Sequence, residues 1–194
     1  MTRPTLKEKQ RRLREDVILD AASELMLERG YADTSIDDII ERVGVARATL
    51  YQHFPSKEAI AVQVIVREME RGEAEIRALD PAMPVAERLA EILRRGFHRR
   101  LRMTSAHITL PPDSVRSHPD LLAQQARTQQ AFETLVDEAR AAGEIATALP
   151  TPLIIQFIDR LFDIDLPCLI ADSKLPAEAV IQLLVSMVLK SLSA

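Results

Sequence analysis

Residues 42–57, RVGVARATLYQHFPSK, contain no carboxylate, although the chain as a whole carries 29 acids against 25 Lys and Arg. Within that window stand Arg47, Thr49, Tyr51, Gln52, His53 and Lys57, all able to hydrogen-bond nucleic acid. At about 100° per residue, a helix from about Ala46 to His53 puts Ala46 and Leu50 on one arc, with Phe54 beyond them. Ala48 and Gln52 then lie opposite, flanked by Arg47 and Tyr51 on one side and by Thr49 and His53 on the other. A face of small and hydrogen-bonding groups with one Arg can enter a phosphate-lined groove. Arg47 can donate twice to a guanine, and Ala48 and the Thr49 methyl can touch thymine methyls. Tyr51, His53 and Lys57 can hold phosphates, which fixes register without reading sequence.

The elements that must position this face are helices. Nearly every segment repeats its apolar residues with a 3.6-residue period, and no alternating strand pattern appears, so an all-α fold of about nine helices is expected. The first runs from about Lys9 to Arg29 with the stripe Val17, Ile18, Ala21, Ala22, Leu25 and Met26, and Gly30 ends it. Ser35 caps a short helix, Ile36–Val43, with Asp37 and Asp38 in its first turn where the dipole favours acids. Gly44 separates it from the acid-free helix, whose Leu50 is expected to pack on Ile36, Ile39, Ile40 and Val43. Two short helices around a Gly-containing turn make a helix-turn-helix. That motif also occurs in proteins that bind no DNA, so pattern alone leaves both readings open.

Ser56 caps a long helix to about Leu79. Helices from Val85 to Met103, from Pro119 to Gly143, from Pro152 to about Ala171 and from Pro176 to about Ser191 follow, and residues 104–118 read as irregular around Pro111-Pro112. Pro167 is expected to bend the helix that contains it.

Composition narrows the function. Apolar residues make up 47% of the chain, and the single Cys168 forms no internal disulfide and reads as a small core residue. No metal framework and no cofactor motif are present, and apolar runs stop short of a membrane span, so a cytoplasmic protein is expected. With a net charge of −4, nucleic-acid binding must rest on a local patch. The N-terminal segment carries Arg3, Lys7, Lys9, Arg11, Arg12 and Arg14 against Glu8, and reads either as a solvated tail or as a basic arm on DNA.

The stretch GYADTSIDDIIERVGVARATLYQHFPSKEAI, residues 30–60, resembles the DNA-binding module of TetR-family transcriptional regulators. Tyr31, Thr34, Gly44, Val45, Leu50, Tyr51, His53, Phe54, Lys57 and Glu58 match that pattern, which is far more specific than a generic helix-turn-helix. The resemblance covers about a quarter of the chain strongly, and the remainder only in length and helical layout. It implies a dimeric repressor in which Thr34 or Ser35, Tyr51, His53 and Lys57 hold phosphates while Arg47, Ala48, Thr49 and Gln52 read bases. Ala46 departs from the pattern, because Ser is common there and would cap the reading helix. The implied organisation is a DNA-binding domain over 1–55 with its basic arm, and a ligand-binding and dimerisation domain over 56–194.

The last helix has one narrow polar stripe, Glu178, Gln182, Ser186 and Lys190, so its apolar surface must be covered on two sides. It is either a core helix of one chain or half of a homodimer interface, in which Leu184 and Met187 would face the partner. Asp159 and Asp163 lack a His at ligand spacing, so a metal or catalytic pair is not expected. The run RRGFHRRLR, residues 94–102, reads either as a solvated face or as an anion site. Resemblance and side-chain type together suggest a chamber for a small, mostly apolar effector, lined by Met69, Phe97, Met103, Phe132, Phe157 and Leu161, with Arg100, Thr104 or His107 orienting it. Alternatives are a regulator of the same fold without a small-molecule inducer, and a small helical enzyme, for which no nucleophile, metal set or phosphate loop is in view.

Overall fold

The computed structural model describes residues 5–105, 112–145, 149–162 and 164–192, and the side chains of 103–105 lie outside the description. The described residues form ten helices and contain no strand. They divide into two compact units, residues 1–68 with 106–123, and residues 69–105 with 124–194.

In the first unit α1 spans Leu6–Arg29 and begins earlier than its apolar stripe suggests. Thr5 and Glu8 close a reciprocal capping box that satisfies the first backbone donors and extends the helix over residues with no core to face. Gly30 ends it at φ 85, a conformation closed to most side chains. α2 spans Ile36–Val43, capped by Ser35 with Asp38 answering from the first turn, and Gly44 stops it in the left-handed region at φ 72. α3 is Arg47–His53 and α4 is Lys57–Arg77, where the Ser56 hydroxyl accepts from the Ala59 amide at 3.2 Å. The unit's core draws Ile18, Ala22 and Leu25 from α1, Ile39 from α2, Leu50 from α3, and Ile60 and Val62 from α4, each at most 1% exposed. A one-turn helix, α6 (Asp113–Arg116), falls in the stretch read as irregular.

The second unit is built on α5, Val85–Ser105, which packs against the three helices that close the chain. Its Leu89, Leu93 and Phe97 are buried with Val136 of α7 (Pro119–Ala141), Ile154, Ile155 and Ile158 of α8 (Thr151–Phe162), Leu166 of α9 (Leu166–Ser173) and Ile181, Val185 and Val188 of α10 (Ala177–Leu192). Gly96 is where α5 gives way to an aromatic ring: a Cβ there would lie 2.7 Å from Phe162, whose ring centroid is 4.9 Å from that of Phe97.

The structure corrects two expectations. The single bent helix expected over 152–171 is two helices, because the Asp165 side chain accepts the Cys168 amide and starts α9 afresh. Pro167 sits in that first turn, where its missing N–H leaves no partner wanting, and so it opens a helix rather than bending one. Cys168 is exposed, not core, and its thiol is pushed up by the neighbouring Asp172 carboxylate, which it also faces at 3.6 Å. Among the described residues no single helix is long and apolar enough to cross a membrane.

Candidate nucleic-acid interface

α3 is held by its inner side. Leu50 is fully buried and Phe54, just past the helix end, is 6% exposed. Ala46 is not part of that inner arc. It is the exposed N-cap residue, with extended backbone and no side-chain hydrogen bond to the helix. Outward, Arg47, Ala48, Tyr51 and Gln52 are exposed, and Thr49 is half-buried. No carboxylate belongs to α3, but on its outward side Asp37, from the first turn of α2, makes a close ion pair with Arg47. Both side chains are more than half exposed, so the pair holds Arg47 extended over α2 at little energetic gain. The acid-free window stops at Arg42, and nothing in the local pattern indicated Asp37; the contact depends on how α2 turns into α3.

The remaining candidates divide by burial. Ser35 is exposed at the α2 N-terminus, where its hydroxyl caps the Asp38 amide. The Asp38 carboxyl is held below its usual range by hydrogen bonds from Ser35 and then by Arg29 at 3.1 Å. Thr34 is 1% exposed and its hydroxyl donates to the Gly30 carbonyl at 2.8 Å, so it fixes the turn between α1 and α2 and is not available to a phosphate. The His53 side chain is 8% exposed, with Nδ1 3.2 Å from a carboxylate oxygen of Glu15 on α1. Arg11 donates to the same oxygen at 2.8 Å. His53 thus ties the end of α3 to α1 rather than standing free on the reading face. Lys57 is half-buried: its Nζ donates to the Ala32 carbonyl at 3.2 Å and lies 4.3 Å from the Tyr31 ring centroid. The Tyr31 hydroxyl donates to Glu58 at 3.3 Å, and burial, then the Glu58 charge, push its pKa up to about 12. Arg42 reaches Glu24 at 3.2 Å and Glu28 at 3.1 Å, and Arg67 reaches Asp20 at 2.7 Å, so ion pairs brace α1 against α2 and α4.

In the second unit a cavity of about 700 Å³ is lined by Met69, Phe132, Ile155, Ile158 and Phe162, with Gln125, Thr128, Gln129, Gln156, Asp159 and Arg160 supplying the polar side. Of the expected chamber residues, Met69 and Phe132 are there. Phe97 is not: it is fully buried in the core behind Gly96. Phe157 points outward and is 43% exposed, Leu161 packs on the core, and Arg100 lies outside the lining. His107 and the side chains of Met103 and Thr104 lie outside the described residues. The polar residues of α7 and α8 were missed because each reads as an exposed helix position; only the meeting of the two helices makes them a wall. The run 94–102 is an ion-paired surface, with Arg94 and Arg95 on Glu91, His98 3.1 Å from Glu178 and Arg99 3.4 Å from Glu75.

On α10, Leu184 is half-buried and packs in part against the core of its own unit. It falls in phase with Val180, Ile181 and Val188, one turn to either side. Met187 is 66% exposed and Leu183 53%, and on α8 Leu153 is 54% exposed.

Residues 18–64 match the family model described as bacterial regulatory proteins, tetR family. The regulator EthR of Mycobacterium tuberculosis (strain ATCC 25618 / H37Rv) is 36% identical over 66 residues, 34% of this chain and 31% of that protein. The biofilm operon icaADBC negative regulator IcaR of Staphylococcus aureus (strain Newman) is 44% identical over 50 residues, 26% of this chain and 27% of that protein. The chain thus spans about a third or less of these curated relatives' length. Among solved structures, the fatty acid degradation regulator FadR from Bacillus halodurans superposes with a TM-score of 0.74 at 22% identity, covering 97% of each chain. FadR from Bacillus subtilis in complex with stearoyl-CoA gives 0.69 at 21%, over 90% of this chain and 97% of that one. These likenesses show a shared fold over 90% or more of the chain.

Proposed function

We propose that this chain, a member of the TetR family of bacterial regulatory proteins, is a homodimeric repressor whose α3 reads a palindromic operator and which a small, mostly apolar effector releases. The observation that carries the DNA reading is the outward side of α3, where Arg47, Ala48, Tyr51 and Gln52 stand exposed on a helix without a carboxylate. Arg47 exchanges Asp37 for a guanine edge on binding. The exposed pair is worth about 0–1 kcal/mol, whereas a bidentate guanine contact discriminates by about 1–3 kcal/mol, so the base wins. Ala48, Thr49 and Gln52 read neighbouring bases. Ser35 and Tyr51 hold phosphates. Lys57 adds positive charge while it fixes the Tyr31 corner, and Thr34 and His53 serve by positioning α2 and α3.

The dimer reading is supported by the apolar side chains that the second unit turns outward, Leu153 and Phe157 on α8 and Leu183 and Met187 on α10. Two reading heads then meet half-sites about 34–36 Å apart, or a multiple of that spacing. The cavity's volume lies within the range of about 300–1,000 Å³ usual for small-molecule sites. Its apolar wall with amide and hydroxyl groups opposite suits a molecule with a long apolar body and a polar end. The effector acts by favouring one spacing of the reading heads over another. If it weakens DNA binding tenfold, it must bind the DNA complex about tenfold more weakly than the free protein.

Gel-shift titration on DNA upstream of the protein's own gene tests the DNA reading, with specific, salt-dependent retardation as the expected result. The effector arm uses a long-chain fatty acid and stearoyl-CoA, the latter because it occupies one structural neighbour. Thr128→Phe fills the cavity and is expected to abolish release while leaving operator affinity near wild type. Release that survives this substitution contradicts the cavity assignment, and silence of a broad apolar library in calorimetry favours the same fold without a small-molecule inducer.

A further inference from the structure

One side of α1 stays in solvent along the whole helix. The buried stripe runs through Ile18, Ala22 and Leu25. On the opposite side of the helix stand Leu6, Lys9, Leu13, Val17, Asp20 and Glu24, all exposed. Leu6, Leu13 and Val17 are 73%, 66% and 46% exposed. Leu13 and Val17 lie one turn apart, so they form one apolar patch, with Leu6 two turns before it.

Charge selects what covers this patch. Towards the N-terminus stand Lys9 and Arg12, and among the described residues no carboxylate pairs with either. Towards the C-terminus come Asp16, Asp20, Glu24 and Glu28, each with its side chain more than half exposed. Arg67 approaches the first two of these acids and Arg42 the other two, which leaves this end with two negative charges in excess. A helix side that is cationic at one end, apolar in the middle and acidic at the other complements a copy of itself run the opposite way. We infer that α1 pairs antiparallel, through this outward side, with α1 of a second copy of this chain. A two-fold axis midway between Leu13 and Val17 sets Leu13 against the partner's Val17, as an isologous contact requires. The same axis brings matching flanks of the two helices together. Lys9, Arg12, Asp16 and Asp20 share one flank, so Lys9 and Arg12 meet the partner's Asp20 and the partner's Asp16. A parallel pair would instead set cation against cation and acid against acid, which is costly. The surface shares no residue with the outward side chains of α8 and α10. Its small size makes it a weak, transient contact. Copies held on one duplex reach an effective concentration of about millimolar, where such a contact forms. That consequence rests on α3 reading DNA; the pairing itself does not.

Sedimentation equilibrium of the full chain between about 1 μM and 1 mM reads the contact. The mass should double above that of the species present at low micromolar concentration, and more readily at about 50 mM than at about 500 mM salt. Leu13→Ser/Val17→Ser and Lys9→Glu/Arg12→Glu should each weaken this step at least about tenfold, with helix content unchanged by circular dichroism. The same losses should appear in Leu183→Glu/Met187→Glu protein, so the result does not depend on the contact through α8 and α10. Direction is read by cross-linking in a Cys168→Ser background, since that thiol is exposed. Leu13→Cys protein mixed with Val17→Cys protein should join through a bis-maleimide spanning about 8–10 Å, the separation of packed helix axes, and far more fully than either protein alone. Three results each overturn the inference: no further association of wild type up to about 1 mM, association that survives Leu13→Ser/Val17→Ser, or Leu13→Cys protein joining to itself as fully as the mixture does. Wild type that stays unassociated but binds anionic vesicles, with that binding lost in Leu13→Ser/Val17→Ser, assigns the side to a lipid surface and likewise overturns it.

Discussion

The region around α2 and α3 and the helices that close the second unit solve the same helical packing problem with opposite outer surfaces. Around α2 and α3 the large apolar residues are turned in or half-covered, apart from Tyr51, and the exposed side of α3 carries small and hydrogen-bonding residues and no acid of its own. The second unit buries a larger apolar cluster and still leaves Leu153, Phe157, Leu183 and Met187 in the open. A polar outer face free of acid suits a charged, hydrated partner. Scattered aliphatic and aromatic side chains on terminal helices suit a partner made like the protein's own interior. Specific chemistry in the first unit therefore rests on hydrogen-bond donors at fixed positions, and in the second on shape.

The comparison breaks most visibly if the second unit's outer residues do not matter. Leu183→Glu with Met187→Glu places two unpaired charges where a second copy should sit, at a cost of several kcal/mol. Light scattering at micromolar concentration should show a dimer for wild type and a monomer for the variant. A wild-type monomer would remove the palindromic operator along with the interface. Shape sensitivity inside the second unit comes next. Gly96→Ala drives a Cβ into the Phe162 ring and should cost about 1–3 kcal/mol in chemical denaturation by overpacking. Gly72→Ala, whose Cβ would meet only the movable tip of Arg99 at 2.9 Å, should cost clearly less. Equal costs would mean the core around Phe162 is loose.

The smallest effect belongs to the first unit and is a pH dependence. The Tyr31 pKa is raised in the fold to about 12 from 10, so the fold favours the neutral phenol. That contribution is fully present below about pH 10 and is lost as pH rises towards 12. Thermal melts across this window should fall more steeply for wild type than for Tyr31→Phe. Parallel curves would show that the Tyr31–Glu58 corner does not couple to folding.

Local signals made the first unit legible. Ser35 and Gly44 bound α2 where the structure has it, because a capping side chain and a left-handed glycine act within one turn of themselves. The start of α1 was missed because Thr5 and Glu8 extend the helix beyond any apolar stripe. His53 and Lys57 carry the right chemistry, but their partners Glu15 and Ala32 lie 38 and 25 residues away, and no spacing rule reaches that far. In the second unit, periodicity found the helices but not their rotation. Leu184 and Met187 look equivalent on a narrow-striped helix, and only tertiary packing leaves one half-buried against the core and the other exposed. The cavity was least legible, since Gln125, Thr128, Gln129 and Gln156 become a wall only where α7 meets α8.

The central claim is that α3 reads DNA with Arg47 as its guanine-recognising side chain. A binding-selection assay on wild type and Arg47→Ala, with randomised duplexes at fixed salt, tests it directly. One guanine position in each half-site should lose about 1–3 kcal/mol of preference in the variant, with the other positions unchanged. The same preference profile in both proteins would contradict the assignment.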